Sequence, residues 1–246
     1  MTAQLSLSRL EMYHGNLDAV PLLRAMILDE FVGKIALISS FGADAALMLS
    51  LVAEIDPATP VLFLETQKHF PETLDYAKIL TEKLGLTQVH WLTPDAEMVA
   101  RIDSKGDLWS TQPNRCCWLR KVEPLNRAVE QLGLAALITG RKRYQTPDRA
   151  QMNTIELDDK NIFRINPIAL WSKERQKQEM EMRRLPEHPL VMKGYLSIGC
   201  MPCTAPVKDG QDERAGRWAH TIGIDNEQKV ECGIHLPTDE ITNWSV

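Results

Sequence analysis

Lys34-Ile-Ala-Leu-Ile-Ser-Ser-Phe-Gly-Ala-Asp44 is an apolar run that breaks into small residues, and apolar side chains at helical spacing follow it to Ile55. A short run of this kind reads as a buried strand that passes through a tight turn into a helix. The turn Ser39-Ser40-Phe41-Gly42 then sets its amide groups at a helix N-terminus, where an anion is favoured. Val61-Leu-Phe-Leu-Glu65, Val89-His-Trp-Leu92 and Ala135-Ala-Leu-Ile-Thr139 are further strands, separated by helical stretches over residues 72–84 and 117–132 and preceded by one over 17–29. Alternation of strand and helix implies right-handed crossovers, hence an α/β fold: a mainly parallel sheet with helices on both faces. Ligands of such sheets sit beyond the carboxyl ends of the strands. The Ser39 turn, Glu65-Thr-Gln67 and Thr139-Gly-Arg141 all fall there.

With 246 residues, 44% hydrophobic and 25% charged, the chain can bury a full core. Residues 1–206 are expected to form one α/β domain. From Val207 the pattern turns charged and weakly apolar, and residues 207–246 are expected to be a mobile C-terminal tail. No run approaches the ~20 apolar residues of a membrane span, and no basic region with an apolar stretch opens the chain, so a cytoplasmic protein is expected. A net charge of −5 argues against general binding to nucleic acid. Basic residues nevertheless crowd positions 115–121 and 141–149, as a small-anion site or as solvated faces.

Five cysteines stand as Cys116-Cys117, Cys200-Met-Pro-Cys203 and a single Cys232. An odd count fits poorly with a disulfide framework. Two vicinal cysteines serve a bulky cubane more readily than one small tetrahedral ion, which favours an iron–sulfur cluster. Zinc and ordinary buried thiols are the alternatives.

The Ser39 turn lacks the Gly-Lys-Ser/Thr ending of a triphosphate loop. It resembles the modified phosphate loop of adenine-nucleotide alpha-hydrolases, from which Phe41 and Ala45 depart. Read together, Phe63-Leu-Glu-Thr-Gln-Lys-His-Phe-Pro-Glu-Thr-Leu74, Cys116-Cys-Trp-Leu-Arg-Lys-Val-Glu-Pro-Leu125, Thr139-Gly-Arg-Lys-Arg-Tyr-Gln145, Glu213-Arg-Ala-Gly-Arg-Trp218 and Glu231-Cys-Gly-Ile-His235 closely resemble the assimilatory adenylyl-sulfate reductase family, from about Ser39 to His235. That resemblance implies an adenine-nucleotide alpha-hydrolase-like fold and a [4Fe-4S] cluster on Cys116, Cys117, Cys200 and Cys203, with Cys232 as nucleophile. It further implies Lys121 between cluster and substrate, residues Ser39, Ser40, Phe41 and Gly42 on the phosphosulfate side, and Arg149, Arg214 and Arg217 as substrate-binding arginines; His235 is added to that set. The implied substrate is adenosine 5′-phosphosulfate, since members with both cysteine pairs use the unphosphorylated form. The run between Trp218 and Cys232 is longer than the family's usual one.

A sulfonyl group on phosphate is already activated, so a thiolate can attack sulfur without a metal-bound water. The obstacle is charge: an anionic thiolate meeting an anionic substrate at ~4 Å costs on the order of several kcal/mol in a partly desolvated site. Arginine forks and a lysine offset that repulsion. The adduct on Cys232 needs a second thiol, and with four cysteines on a cluster that thiol is external, a thioredoxin or glutaredoxin. A homo-oligomer with no nucleic-acid or membrane partner is expected. The rival readings are a reductase of the 3′-phosphorylated substrate or of both, an ATP pyrophosphatase-type tRNA-thiolating transferase, and a non-enzymatic cluster sensor. Ala43 stands where the thiolating enzyme would carry a lysine.

Overall fold

The computed structural model describes residues 3–219, 231 and 233–235. Helix α1 (Ala3–His14) and α2 (Ala19–Ala25, continued as a π turn over Met26–Glu30) lead into strand β1 (Ile35–Ser39). Then follow α3 (Ala45–Ile55), β2 (Val61–Leu64), α4 (Pro71–Lys83), β3 (Val89–Leu92), α5 (Ala96–Ile102), α6 (Leu108–Thr111) and α7 (Pro113–Cys117). A π turn over Trp118–Val122 joins α7 to α8 (Glu123–Gln131), and β4 (Ala136–Ile138), β5 (Ile155–Leu157), β6 (Phe163–Ile165) and α9 (Lys173–Met182) complete the set. The π turn sits just before Pro124, which has no N–H for the Arg120 carbonyl.

The six strands lie in the order β3-β2-β1-β4-β6-β5, parallel throughout except for β5, which runs against β6. The four strands expected from the apolar runs are all present. Leu37 pairs with Val61 on one side and with Ile138 on the other, so β1 is central. Its side chains alternate between two cores. Ile35 and Leu37 join Phe63 and the inner faces of α2, α3 and α4, while Ala36 joins Leu62, Leu137 and Leu125 of α8. Helices thus cover both faces, as the unbroken apolar strands require. The β5–β6 hairpin escapes sequence reading because its strands are three residues long and carry Glu156 opposite Arg164.

From β1 the chain winds one way to β2 and β3, and β4 lies on the other side of β1. The order reverses between β1 and β4, and the loops leaving these two strands open a crevice at that switch point. Among the described residues no helix is long and apolar enough to cross a membrane.

Candidate substrate cavity and cysteine centre

The crevice holds a cavity of ≈ 250 Å³. Ser39, Ser40, Gly42, Lys121, Arg149, Arg214 and Arg217 all line it, so seven of the expected contact residues meet in one place. Gly42 is needed there because a Cβ would stand 2.9 Å from the Ile198 carbonyl oxygen. Phe41 corrects the sequence expectation. It takes φ 47°, its ring is fully enclosed with its centroid 4.9 Å from that of Phe63, and its N–H donates to Ser39 Oγ at 3.1 Å. Its side chain is therefore core, and its amide already has an acceptor.

The cavity is strongly cationic, and several of its cations are held by nearby carboxylates. Lys142 is 1% exposed, with Nζ 2.8 Å from Asp44 Oδ2, and Arg141 Nη2 donates to Glu156 at 3.0 Å. Arg149 grips Glu231 with two bonds, Nε to Oε2 at 2.7 Å and Nη2 to Oε1 at 2.9 Å. Burial, aided by Arg217 and Arg149, lowers the Arg214 pKa to about 10, which leaves it charged at neutral pH. Arg217 lies with its guanidinium 4.5 Å from the Trp218 ring centroid, and its buried Nε has no hydrogen-bond partner among the described residues. A buried donor of this kind is suited to an anion.

His69 was not singled out by the sequence. It lines the cavity with Nε2 2.9 Å from the Leu64 carbonyl oxygen, and burial lowers its pKa to about 4, helped by Lys121 and Arg217. It is therefore neutral at pH 7. Glu65 lies outside the lining and instead accepts the Gln67 N–H at 2.8 Å.

Next to this cavity is a second, smaller and mostly apolar one, lined by Cys116, Cys117, Cys200 and Cys203 together. Lys121 and Trp218 border both cavities. Cys116 and Cys117 end α7, and the other pair flanks a 3-10 turn over Met201–Cys203. All four thiols are buried and none is in a disulfide. Burial pushes the Cys116 thiol up to about 12, and Cys200 and Cys203 add to the shift. Among the described residues, no three His, Cys, Asp or Glu side chains are grouped to hold one metal ion.

The donor set still fits a larger thiolate-bound group. Four soft sulfur donors share a wall with Lys68, Arg120 and Lys121, whose charges offset those of thiolates. Arg120 Nε, buried in that same wall, has no hydrogen-bond partner among the described residues.

The chain beyond residue 206 is held as far as 219. Ala205 N–H donates to Gly216 O at 2.9 Å, Trp218 N–H to Cys203 O at 3.0 Å, and Thr204 bridges Arg217. These bonds carry Arg214 and Arg217 to the cavity. Gly199 leaves room for the latter, for a Cβ there would lie 2.5 Å from Arg217 Nη2. Glu231 and Ile234 also line the cavity. Cys232 and the His235 side chain lie outside the described residues.

The profile of the phosphoadenosine phosphosulfate reductase domain family matches residues 34–206. The adenosine 5′-phosphosulfate reductase of Chelativorans sp. (strain BNC1) is 44% identical over 247 residues, covering 99% of this chain and 96% of the relative. That of Mesorhizobium japonicum is also 44% identical, over 95% and 88%. Among solved structures, the phosphoadenylyl-sulfate reductase of Candida auris, in a phosphate complex, superposes with a TM-score of 0.70 at 24% identity, over 83% of this chain and 98% of that one. The FMN adenylyltransferase of Candida glabrata follows with 0.55 at 14%, over 96% and 86%. Both show the adenine-nucleotide alpha-hydrolase-like fold. The chain belongs to the phosphoadenosine phosphosulfate reductase domain family.

Proposed function

We propose that this family member reduces adenosine 5′-phosphosulfate to sulfite and AMP in sulfate assimilation, with Cys232 as nucleophile and thioredoxin or glutaredoxin as reductant. One observation carries the reading: a cationic cavity at the switch point of the sheet shares Lys121 with a cavity walled by four cysteines. The relatives that are 44% identical bear the name of the unphosphorylated substrate, which favours it over the 3′-phosphorylated form.

In this reading Ser39, Ser40 and Gly42 face the phosphosulfate, while Lys121, Arg149, Arg214 and Arg217 neutralise it. The Cys232 thiolate attacks the sulfonyl sulfur; an S–S bond forms, the bond from sulfur to the bridging oxygen breaks, and its electron pair leaves on the phosphate of AMP. The arginines stabilise that leaving charge. An external thiolate then attacks Cys232 Sγ, forming a mixed disulfide and releasing sulfite with the electron pair of the broken S–S bond. A second thiol of the reductant resolves the disulfide and returns Cys232 as a thiolate. Cys116, Cys117, Cys200 and Cys203 would hold a [4Fe-4S] cluster, which supplies fixed charge and a rigid wall beside Lys121. His69, neutral above its lowered pKa, leaves the positive charge of this side to Lys121 and Arg217.

The test is intact-protein mass spectrometry after incubating anaerobically prepared enzyme with adenosine 5′-phosphosulfate and no thiol. An adduct of about one SO₃ is expected, absent in Cys232→Ser and removed by thioredoxin. Labelling only by the 3′-phosphorylated analogue would overturn the substrate, and labelling by neither would overturn the reaction.

A further inference from the structure

Beyond residue 219 the described chain comprises residue 231 and residues 233–235, which stand on either side of Cys232 in the sequence. Each side is fastened to the body of the protein. Glu231 takes Nε of Arg149 at 2.7 Å and Nη2 at 2.9 Å, and the arginine and carboxylate side chains are 9% and 10% exposed. The 3-10 turn Gly233–His235 sits on the π turn over Trp118–Val122. A Cβ on Gly233 would stand 3.2 Å from Val122 Cγ2, and Ile234 packs both on the cluster that holds Leu62 and Leu125 and on Trp218 beside the second cysteine pair.

Arg149 is prepared for its part in this arrangement. Its Nη1 donates to Gln145 Oε1, which also accepts the Lys142 N–H at 3.2 Å, so the guanidinium is oriented from behind. Bidentate pairing adds direction as well as energy. The three bonds to Gln145 and Glu231 use three of the five guanidinium N–H groups, so Arg149 can hold the carboxylate and still meet the substrate.

A carboxylate at position 231 is otherwise adverse. It directly precedes a thiol that must ionise and approach an anionic sulfonyl donor, and a free negative charge there opposes both steps. The arginine fork offsets that charge. What the carboxylate then contributes is a fixed point for the chain one residue before the thiol.

We propose that Glu231 is a positioning residue for the nucleophile: its ion pair with Arg149 fixes the chain before Cys232, as the seat of Ile234 fixes it after, and the thiol is thereby presented to the sulfonyl sulfur. This rests on reading Cys232 as the nucleophile toward adenosine 5′-phosphosulfate.

The experiment follows the full chain, prepared anaerobically, through one turnover without thiol. The mass of the Cys232 adduct is read against time over a range of adenosine 5′-phosphosulfate concentrations, which separates the limiting rate from the half-saturating concentration. Glu231→Gln is expected to lower the limiting rate about tenfold, with the half-saturating concentration unchanged or about threefold lower. Glu231→Asp, which keeps the charge, is expected to recover part of the rate. Glu231→Ala should match Glu231→Gln, and it decides if that variant does not fold. An unchanged limiting rate overturns the proposal. So does a loss confined to the half-saturating concentration, since Glu231 would then serve only to orient Arg149 for binding. A purely structural role would lower the thermal midpoint and the fraction of chains that react while the reactive fraction keeps the wild-type rate, and that result also overturns it. Wild type that stays unlabelled at every concentration overturns the reading of Cys232 itself and this role with it.

Discussion

Over the centre of the sheet, Leu37 and Phe63 of the strands and Leu47 and Leu49 of α3 are enclosed by many side chains of their own kind, whereas around the four cysteines small apolar clusters are joined by individual polar contacts, with Thr66 on Cys200, Arg120 on the Thr66 carbonyl and Met201 N–H on the Lys68 carbonyl. Apolar burial is non-directional and roughly proportional to area, so damage to the sheet is graded. Directional contacts are lost one at a time, and each loss leaves a buried polar group unsatisfied. A chain built this way can tolerate changes in its core that leave the site intact, and can lose its site with the core unharmed.

Cys200→Ser breaks that division most sharply. Iron and sulfide are expected to fall to background while far-ultraviolet circular dichroism stays native; a full complement of iron in this variant would remove Cys200 from the ligand set. Leu49→Ala makes the opposite cut. It is expected to lower stability by about 2–5 kcal/mol in urea unfolding, with iron per folded chain unchanged.

Acid probes the core from another direction. His188 is fully buried, its Nδ1 accepts the Leu190 N–H at 3.2 Å, its Nε2 lies 3.0 Å from Thr73 Oγ1, and burial lowers its pKa from 6.5 to about 4. The unfolded chain thus takes up a proton near pH 6.5 that the folded chain refuses until about pH 4. The stability contributed by the neutral ring is complete above the unfolded value and is lost as pH falls through that window, with a slope of up to about 1.4 kcal/mol per pH unit. His69 acts in the same direction. Urea midpoints measured across the window should fall less steeply in His188→Gln, and equal slopes would exclude His188 as a source.

Two smaller tests sharpen the comparison at the boundary of the two regions. Gly199→Ala forces the Arg217 guanidinium to move, because the new Cβ would stand 2.5 Å from Nη2. Calorimetry is expected to show nucleotide binding weakened about tenfold, or about 1.4 kcal/mol, and an unchanged affinity would show that Arg217 does not contribute. Glu231→Gln removes the carboxylate from Arg149. If that carboxylate competes with the substrate anion, adenosine 5′-phosphosulfate binds about threefold tighter, a gain of about 0.7 kcal/mol; weaker binding would mean that Glu231 instead orients Arg149.

The parts of the fold that were legible in the sequence are those with a periodic signal. The strands β1 to β4 announce themselves as apolar runs, and α3, α4 and α8 as helical spacing between them. The edge hairpin does not, because Glu156 and Arg164 interrupt strands of three residues, and side-chain bonds such as Arg141 to Glu156 and Arg164 to Asp158 support it. In the cavity, the serines, the glycine, the lysine and the three arginines were readable from motif, but the direction of Phe41 was not. Its φ of 47° turns the ring into the core, a backbone property that no residue identity discloses. His69 escaped although it lies within the segment Phe63 to Leu74, because residue type alone does not separate a cavity-lining imidazole from an ordinary buried one.

By itself the sequence determined a parallel α/β sheet, the turn at its central strand and the spacing of two cysteine pairs, since each is written in local spacing or residue type. The tertiary structure alone decided that residues 116–117 and 200–203 share a cavity, that Lys121 and Trp218 border both sites, and that Glu231 holds Arg149. These are meetings of side chains distant along the chain, held by directional bonds such as Thr66 to Cys200 and Arg149 to Glu231, and such bonds leave no period in the sequence from which they could be read.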